Sequence, residues 1–231
     1  SIIDINSGKQ PIYSRDKSKI IVFNGEIYNY GLLKADLIKE GITFDTNSDT
    51  EVIMRLYENY GTDSFSMLDG MFAFSIFDRN LSKLYIARDF FGEKPLYYHL
   101  DSSSFSWGSE LKSIISILDF KPKISKEALS LFFQLTYIPA PFTIYEGVKK
   151  LEANSYLELD CISNKVTIKP IKNKENILYD QNMSFSKAKL ITHDLVNESV
   201  LTRTVSDVQI GTFLSGGVDS SIVSLCFRKN W

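Results

Sequence analysis

The fold of this chain is decided by residues 20–30, which read Ile20-Ile21-Val22-Phe23-Asn24-Gly25-Glu26-Ile27-Tyr28-Asn29-Tyr30. The first four residues are apolar and mostly β-branched, a composition that predicts a buried strand. Asn24-Gly25 is a turn signal, so we expect a corner directly after that strand. An amphipathic helix is expected from about Tyr30 to Glu40, with Leu33, Leu37 and Ile38 facing inward and Gly41 as its stop. The stretch therefore predicts a strand, a corner and a helix in succession.

Further strand and helix patterns follow toward the C-terminus. Ser48 and Glu51 fit a capping box, which predicts a second helix that runs to Gly61. Hydrophobic patterning then predicts three hairpins and two helices. The hairpin strands are expected at residues 71–77 with 84–87, 94–99 with 105–108, and 156–160 with 166–169, and the helices at 111–118 and 126–135. The prolines among residues 137–141 predict a loop there.

The polar stretch at residues 170–184 lacks periodicity, which predicts a linker between two units. A helix is expected after it, at about residues 186–202. An apolar strand at 208–214 and a helix from Asp219 follow. The chain is therefore expected to contain a larger N-terminal unit and the beginning of a second α/β unit.

Composition excludes several classes of protein. The 231 residues are 44% hydrophobic and 23% charged, with a formal net charge of −2, so neither disorder nor nucleic-acid binding is expected. No apolar run reaches the length of a membrane span, and no signal peptide is visible. Cys161 and Cys226 are typical of reduced cysteines in a cytosolic protein. His99 and His193 have no metal-ligand spacing, so we expect each to have a surface or packing role. We expect a cytoplasmic protein with no nucleic-acid or membrane partner.

The glycine-rich loop Ser215-Gly216-Gly217-Val218-Asp219-Ser220-Ser221 lies between the last predicted strand and the last predicted helix. A helix start offers unpaired N–H groups and a positive dipole end, and glycines let the backbone approach an anion closely. The loop is therefore suited to a phosphate. Asp219 would repel phosphates unless a divalent cation lay between them, which implies Mg²⁺. The alternative is a structural strand-to-helix turn with a serine cap.

The Asn24-Gly25 corner also permits a chemical interpretation. A side-chain amide and a backbone N–H that converge are the two donors of an oxyanion hole. The alternative is an ordinary turn, since Asn-Gly is a common turn dipeptide.

The glycine-rich loop resembles the pyrophosphate loop of the PP-loop ATP pyrophosphatases, and residues 211–221 are similar to those of asparagine synthetases. The resemblance implies that ATP is split to AMP and pyrophosphate. It also implies which residues bind the nucleotide and pyrophosphate: Leu214, Ser215, Gly216, Gly217, Asp219 and Ser220, with Asp219 as the metal ligand.

Residues 23–30 resemble the class II glutamine amidotransferase domain that precedes the PP-loop domain in asparagine synthetases. The resemblance implies that Asn24 and Gly25 form the oxyanion hole and that Glu26 and Asp49 hold the ammonium group of glutamine. Ile2 and Ile3 would belong to the strand that binds the rest of the glutamine. Residues 68–74, 87–89, 92–98 and 109–112 also agree with the family, in its order. We assign no chemistry to them and expect the aromatic run to be core and Arg88-Asp89 to be an ion pair or a turn.

The resemblance implies an α/β fold for the chain: an αββα sandwich like that of the N-terminal-nucleophile (Ntn) hydrolases, followed by the first βα unit of a parallel PP-loop domain. We place the glutaminase domain at residues 1–169, the linker at 170–184 and the start of the PP-loop domain at 185–231. The implied activity is glutamine- and ATP-dependent amide formation on a carboxylate, aspartate in the usual case. The alternatives are an enzyme that amidates another carboxylate, such as one on a sugar nucleotide, and a non-catalytic binding or regulatory module. The resemblance leaves a homodimer open.

The chain departs from the family at its start. The family's nucleophile is an N-terminal cysteine activated by its own amino group, and no cysteine stands there. Ser1 is not expected to replace it, because Ser1-Ile2-Ile3-Asp4 resembles an internal segment of the domain. We therefore expect this chain to be a piece of a longer enzyme, without the nucleophile and inactive by itself.

Overall fold

The computed structural model describes residues 9–102, 104–172, 182–204 and 209–229. Ile2, Ile3, Val208 and residues 173–181 of the expected linker lie outside this part of the chain.

Within the described part, strands and helices alternate through the first 170 residues and helices follow. The strands are β1 (Ile12–Tyr13), β2 (Lys19–Ile27), β3 (Gly70–Asp78), β4 (Lys83–Arg88), β5 (Tyr97–Leu100), β6 (Phe105–Gly108), β7 (Val148–Lys150), β8 (Ser155–Asp160) and β9 (Lys165–Pro170). The α-helices are α1 (Tyr30–Lys39), α2 (Asp49–Tyr60), α3 (Leu111–Ile115), α4 (Lys126–Leu135), α5 (Phe185–Thr202) and α6 (Val218–Lys229), and a 3₁₀ helix spans Gly61–Met67.

The strands form two antiparallel sheets. Six strands make the larger sheet in the order β1-β2-β3-β4-β8-β9, and three make the smaller sheet in the order β6-β5-β7. The predicted hairpins β3–β4, β5–β6 and β8–β9 are confirmed, whereas the short strands β1 and β7 were not predicted.

Two apolar cores separate the layers. The first lies between the larger sheet and helices α1 and α2, and Phe65 packs there edge-on against Phe74 with ring centroids 5.0 Å apart. The second lies between the sheets, where Ile86 and Leu157 meet Leu96 and neighbouring residues. Since α3 packs on β5 and β6, the layers follow the expected order of helix, sheet, sheet and helix. The aromatic run of β3 is core, as predicted.

Three helix predictions need correction in detail. Ile38 was expected to face inward and is 53% exposed, whereas Leu37 is buried. The helix expected at 111–118 ends at Ile115. Ser48 does cap α2, by accepting a hydrogen bond from the Thr50 N–H at 3.2 Å, but Glu51 turns away from the cap. Its carboxylate accepts instead from the Asp45 and Thr46 N–H groups, so the reciprocal half of the capping box is absent.

Two strand predictions are wrong. The strand at 20–23 does not stop before Asn24 but continues to Ile27, because β3 pairs with it along its whole length. Residues 209–214, expected as a strand, form no strand in the described structure, and Phe213 is 99% exposed. A strand requires a neighbour that accepts and donates its ladder hydrogen bonds, and none of the described strands pairs with this segment.

Candidate active site

Gly25 lies inside β2, opposite Phe72 of β3, rather than in a turn. Its φ of 151° is a conformation that side chains disfavour, and a Cβ there would overlap the Met71 carbonyl and lie 2.8 Å from the Phe72 Cα. Gly70 has the same relation to β2, since its Cβ would overlap the Glu26 carbonyl. Glycine is therefore required at both positions for the two strands to approach closely at this end.

The pairing of β3 fixes the direction of the Gly25 N–H. The Phe72 N–H donates to the Asp89 carboxylate at 3.2 Å, and its carbonyl accepts from the Asp89 N–H at 2.9 Å, so both groups point away from β2. In an antiparallel ladder the opposite residue then also points its groups away. Phe23, two residues earlier, binds the Gln10 side chain on that outer edge. The Gly25 N–H therefore faces the same edge of the sheet.

The Asn24 side chain lies on the face of β2 that meets the smaller sheet. Its Nδ2 donates to Ser109 Oγ at 3.0 Å, across a sequence separation of 85 residues. A primary amide has two N–H donors, so one remains for another acceptor. A cleft of about 180 Å³ opens here and is lined by Asn24, Ser109 and apolar residues of both sheets. Asn24 thus supplies a donor at the cleft, and the Gly25 N–H is a second donor on the next residue, at the edge of the sheet; an oxyanion hole uses two such donors.

Glu26 and Asp49 form a pair of buried acids beside these donors. Their exposed fractions are 7% and 3%. Burial, and then the Asp49 carboxylate, raise the pKa of Glu26, while the Lys94 ammonium opposes this rise. Burial also raises the pKa of Asp49, against the hydrogen bonds from the Ile27 and Thr50 N–H groups. A cation placed between the two acids would relieve both the desolvation and the repulsion.

The start of α2 fixes Asp49. The carboxylate Oδ2 accepts from the Ile27 N–H at 3.3 Å, which ties the helix start to the end of β2. Glu51 holds the preceding loop through the Thr46 N–H at 2.7 Å and binds Arg55 at 2.9 Å, with both side chains buried. A rigid helix start therefore brings Asp49 to Glu26 although 22 residues separate Asp49 from Ile27.

A tight turn after β4 forms another wall of the site. The fully buried Asp89 carboxylate accepts from the Phe72, Phe91, Glu93 and Lys94 N–H groups at 2.8–3.2 Å. Whereas Asp89 accepts hydrogen bonds, the Arg88 guanidinium donates them, to the carbonyls of Gly92, Lys94 and Leu151 at 2.5–2.7 Å. Of the two expectations for Arg88-Asp89, the turn is confirmed. Both side chains bind backbone groups, which satisfies two charges in a buried environment.

Sequence reasoning missed the contributions of Ser109 and Asp89. Each belongs to a stretch that agrees with the family, and that agreement was the available signal. Asn29, the last Asn of the Asn24–Asn29 stretch, binds the segment before β3. Its amide donates to the Met67 carbonyl and accepts from the Asp69 N–H, both at 3.0 Å. These bonds fix the chain just beyond Glu26.

The glycine-rich loop lies far from the acids in sequence and is exposed. Gly216 has a φ of 83°, and no neighbouring heavy atom would touch a Cβ there. Ser215 Oγ lies 3.0 Å from Ser220 Oγ, which in turn donates to the Gly217 carbonyl at 3.1 Å. The loop leads into α6, with Asp219 in its first turn. The remaining members of the predicted ATP set, Leu214 and Gly217, are exposed beside them. The backbone is therefore accessible to a phosphate at a helix start.

The metal prediction at Asp219 has limited support from the donor set. Among the described residues, no group of three or more His, Cys, Asp or Glu side chains could hold a metal ion. Asp219 is an exposed carboxylate, so it can contribute an oxygen ligand to Mg²⁺ when phosphates and water supply the others.

The two cysteines and His99 were also considered as candidate functional residues. No disulfide joins Cys161 to Cys226. His99 is buried, with Nδ1 2.9 Å from the Gly147 carbonyl, and it packs against Phe120. The packing role expected for His99 is therefore confirmed.

In the described part of the chain, no helix combines the length and apolarity that crossing a membrane would require.

Comparison with known families accounts for most of the chain. Residues 1–170 match the model of the glutamine amidotransferase domain, and residues 192–230 match the model described as asparagine synthase. The first match covers well over half of the chain, so the chain belongs to the glutamine amidotransferase domain family. The resemblance inferred from residues 23–30 and from the glycine-rich loop is confirmed.

Curated relatives align with nearly the whole of this chain. The chain is 38% identical over 230 residues to asparagine synthetase [glutamine-hydrolyzing] 1 of Bacillus subtilis, a match that covers 96% of this chain and 35% of that protein. It is 34% identical to asparagine synthetase [glutamine-hydrolyzing] 3 of the same organism, over 97% of this chain and 36% of that protein. The chain thus spans about a third of the length of these relatives.

Among solved structures, a glutamine phosphoribosylpyrophosphate amidotransferase from B. subtilis aligns with a TM-score of 0.48 and 18% identity, over 95% of this chain and 46% of that one. The fold assignment rests instead on the two stacked antiparallel sheets and on the domain match.

Proposed function

We propose that this chain supplies the glutamine site of an enzyme that transfers ammonia from glutamine to a carboxylate with consumption of ATP. The observation that carries the proposal is the buried acid pair Glu26 and Asp49 next to the donors of Asn24 and Gly25. Two desolvated acids suit an ammonium group, and two convergent N–H donors suit an oxyanion.

The acid pair would bind the α-ammonium group of glutamine. Since burial and mutual repulsion raise the pKa of Glu26, a bound cation would lower the free energy of the ionised pair. Asp49 would contribute orientation as well as charge, because the Ile27 N–H and the start of α2 hold it in place. Ile2 and Ile3 would complete the binding strand, as the family resemblance implies.

The donors would act on the other end of the substrate. When a nucleophile attacks the glutamine side-chain amide, the carbonyl oxygen becomes negative, and Asn24 Nδ2 and the Gly25 N–H would stabilise it. Ser109 holds the Asn24 amide in position, so little reorganisation is needed in the transition state. The nucleophile would be an N-terminal cysteine, as the family resemblance implies.

The glycine-rich loop would bind the phosphates of ATP through Ser215, Gly216, Gly217 and Ser220, with Leu214 beside the nucleotide. The exposed N–H groups at the start of α6 and the open space around Gly216 fit such a ligand. Asp219 would bind Mg²⁺ together with phosphate oxygens, and the ion would neutralise charge on the phosphates.

The acceptor that we propose is aspartate, which would make the complete protein a glutamine-hydrolysing asparagine synthetase that releases AMP and pyrophosphate. The names of the relatives support this choice. We place the glutaminase domain at residues 1–169, the linker at 170–184 and the synthase domain from 185, in a cytoplasmic enzyme.

The experiment is to supply the complete enzyme with glutamine, ATP, Mg²⁺ and a panel of carboxylates, and to identify the amide formed by mass spectrometry. Asparagine formed from aspartate together with glutamate, AMP and pyrophosphate is the expected result. Amidation of a different carboxylate would reject the acceptor alone. Absence of glutamate release would reject the glutaminase assignment.

A further inference from the structure

Arg203 at the end of α5 contacts Tyr28 of the first unit. The guanidinium carbon lies 4.7 Å from the centroid of the tyrosine ring. A cation within about 6 Å of an aromatic face is attracted by the ring quadrupole. Tyr28 stands two residues after Glu26, and α5 packs against α6, the helix that begins at the glycine-rich loop. The contact therefore joins elements that belong to the two proposed substrate sites.

The second unit holds Arg203 in position through hydrogen bonds of its own. Its Nη1 donates to the Ser199 carbonyl at 2.9 Å and to Ser199 Oγ at 2.8 Å, across the last turn of α5. A cation is favoured at this end of a helix by the dipole. The helix end therefore restricts the conformation of the guanidinium, so the contact with Tyr28 costs little further side-chain entropy.

The first unit provides a fixed and acidic surface for it. The Tyr28 N–H donates to the Asp69 carbonyl at 2.7 Å, which anchors the tyrosine backbone. Asp69 and Glu93, together with Lys172, line a cavity of about 240 Å³ that Arg203 borders from the other unit. Burial, and then Glu93, raise the pKa of Tyr28, and Arg203 acts in the opposite direction. Charge and shape thus favour a cation over this ring.

We propose that Arg203 on Tyr28 is the contact through which the two units influence each other's ligands. The proposal rests on the proposed function for the identity of those ligands. Tyr28 is fixed to the same strand end as Glu26, and Arg203 to the helix pair that carries the phosphate loop. Ligands that shift either element would change the free energy of the contact. By linkage, glutamine and ATP would then alter each other's affinity to the same extent.

The contact itself is tested on this chain by amide hydrogen exchange of residues 199–204. Tyr28→Leu removes the ring from the other unit and should speed that exchange about two- to fivefold, the factor that corresponds to an exposed cation–π pair. Tyr28→Phe keeps the ring and should leave the rate unchanged, as should Tyr137→Leu, which removes an exposed tyrosine elsewhere. Retained protection of β3 amides shows that the variants fold. Equal exchange in Tyr28→Leu and the parent chain overturns the proposal.

The coupling is tested in the complete enzyme by the ratio of glutaminase rates with and without ATP and aspartate. Arg203→Met should bring this ratio close to one while the basal rate is kept. Lys189→Met, which removes another exposed cation of α5, should leave the ratio unchanged. A wild-type ratio in Arg203→Met overturns the coupling. A wild-type enzyme without glutaminase activity rejects the proposed function, and the exchange measurement still decides the contact.

Discussion

Glu26→Gln should stabilise the fold while it abolishes glutamine binding. The glutamine side chain introduced at position 26 has nearly the same volume as the glutamate side chain and lacks its charge. The Glu26 pKa is raised from its ordinary value of 4.5, first by burial and then by Asp49. The folded chain therefore binds this proton more tightly than the unfolded chain. The ionised side chain lowers stability at every pH above the ordinary value, and the penalty grows until the raised pKa is passed.

The magnitude follows from the linkage between protonation and folding. Each unit by which the Glu26 pKa is raised costs about 1.4 kcal/mol at neutral pH. In a domain of about this size, 1 kcal/mol changes the Tm by about 2–4 °C. We therefore expect Glu26→Gln to raise the Tm at pH 7 by about 3–6 °C for each such unit. The gain should disappear as the pH falls below the ordinary pKa, where both forms are neutral.

The assay is thermal unfolding of this chain at several pH values, with Glu158→Gln as the matched control. Lys83 and Lys169 lie 2.5 and 3.3 Å from the Glu158 carboxylate and lower its pKa, so ionised Glu158 stabilises the fold. Glu158→Gln should therefore lose stability at pH 7 and lose less as the pH falls. If both variants change stability with the same sign at pH 7, the reasoning about burial and repulsion at Glu26 is refuted.

Three further predictions concern the Asn24 amide, the close approach at Gly25 and the glycine-rich loop. Asn24→Ala in the complete enzyme should lower the glutaminase rate by about 10²–10³ and spare ammonia-driven synthesis; Ser109→Ala should lower the glutaminase rate less, and equal loss of both activities in Asn24→Ala would contradict the oxyanion role. Gly25→Ala should destabilise this chain by about 3 kcal/mol, measured by urea unfolding, because its Cβ meets the backbone of β3. Gly31→Ala, in the open on α1, should instead stabilise it by up to about 1 kcal/mol, and similar effects at the two glycines would be inconsistent with the close approach of the strands. Asp219→Asn should weaken Mg²⁺-dependent synthesis and leave glutaminase activity intact; unchanged synthesis would reject its metal role.

Local signals in the sequence predicted most of the helices and hairpins. Ser48 and Gly61 delimit α2 because a cap and a glycine stop act within one turn of the helix. The course of β2 through Asn24 and Gly25 was not predictable in this way. It depends on β3, whose residues lie more than 40 positions away and supply the ladder that keeps the segment extended. The two-residue strand β1 is too short to show any periodicity.

The site residues were named from the family resemblance, but their partners were not. Ser109 reaches Asn24 across 85 residues, and Asp89 reaches the Phe72 N–H across 17, so each pairing appears only when the sheets are assembled. The displaced half of the capping box has a different origin, because its partners are near in sequence. Glu51 is buried between Arg55, one turn later in α2, and the loop before the helix, and these bonds replace the bond to the cap.

The turn that Arg88 and Asp89 hold has a consequence for how this protein can vary. The Arg88 and Asp89 side chains bind backbone atoms along the turn, and Gly92 supplies the positive φ of 67° that the turn requires, so the side chain at position 91 is not needed for the backbone conformation. Phe91, which is 74% exposed there, can therefore be exchanged without altering the backbone that borders Glu26. Natural selection or a protein engineer can therefore change the side chain at position 91 while the backbone of the turn keeps its conformation.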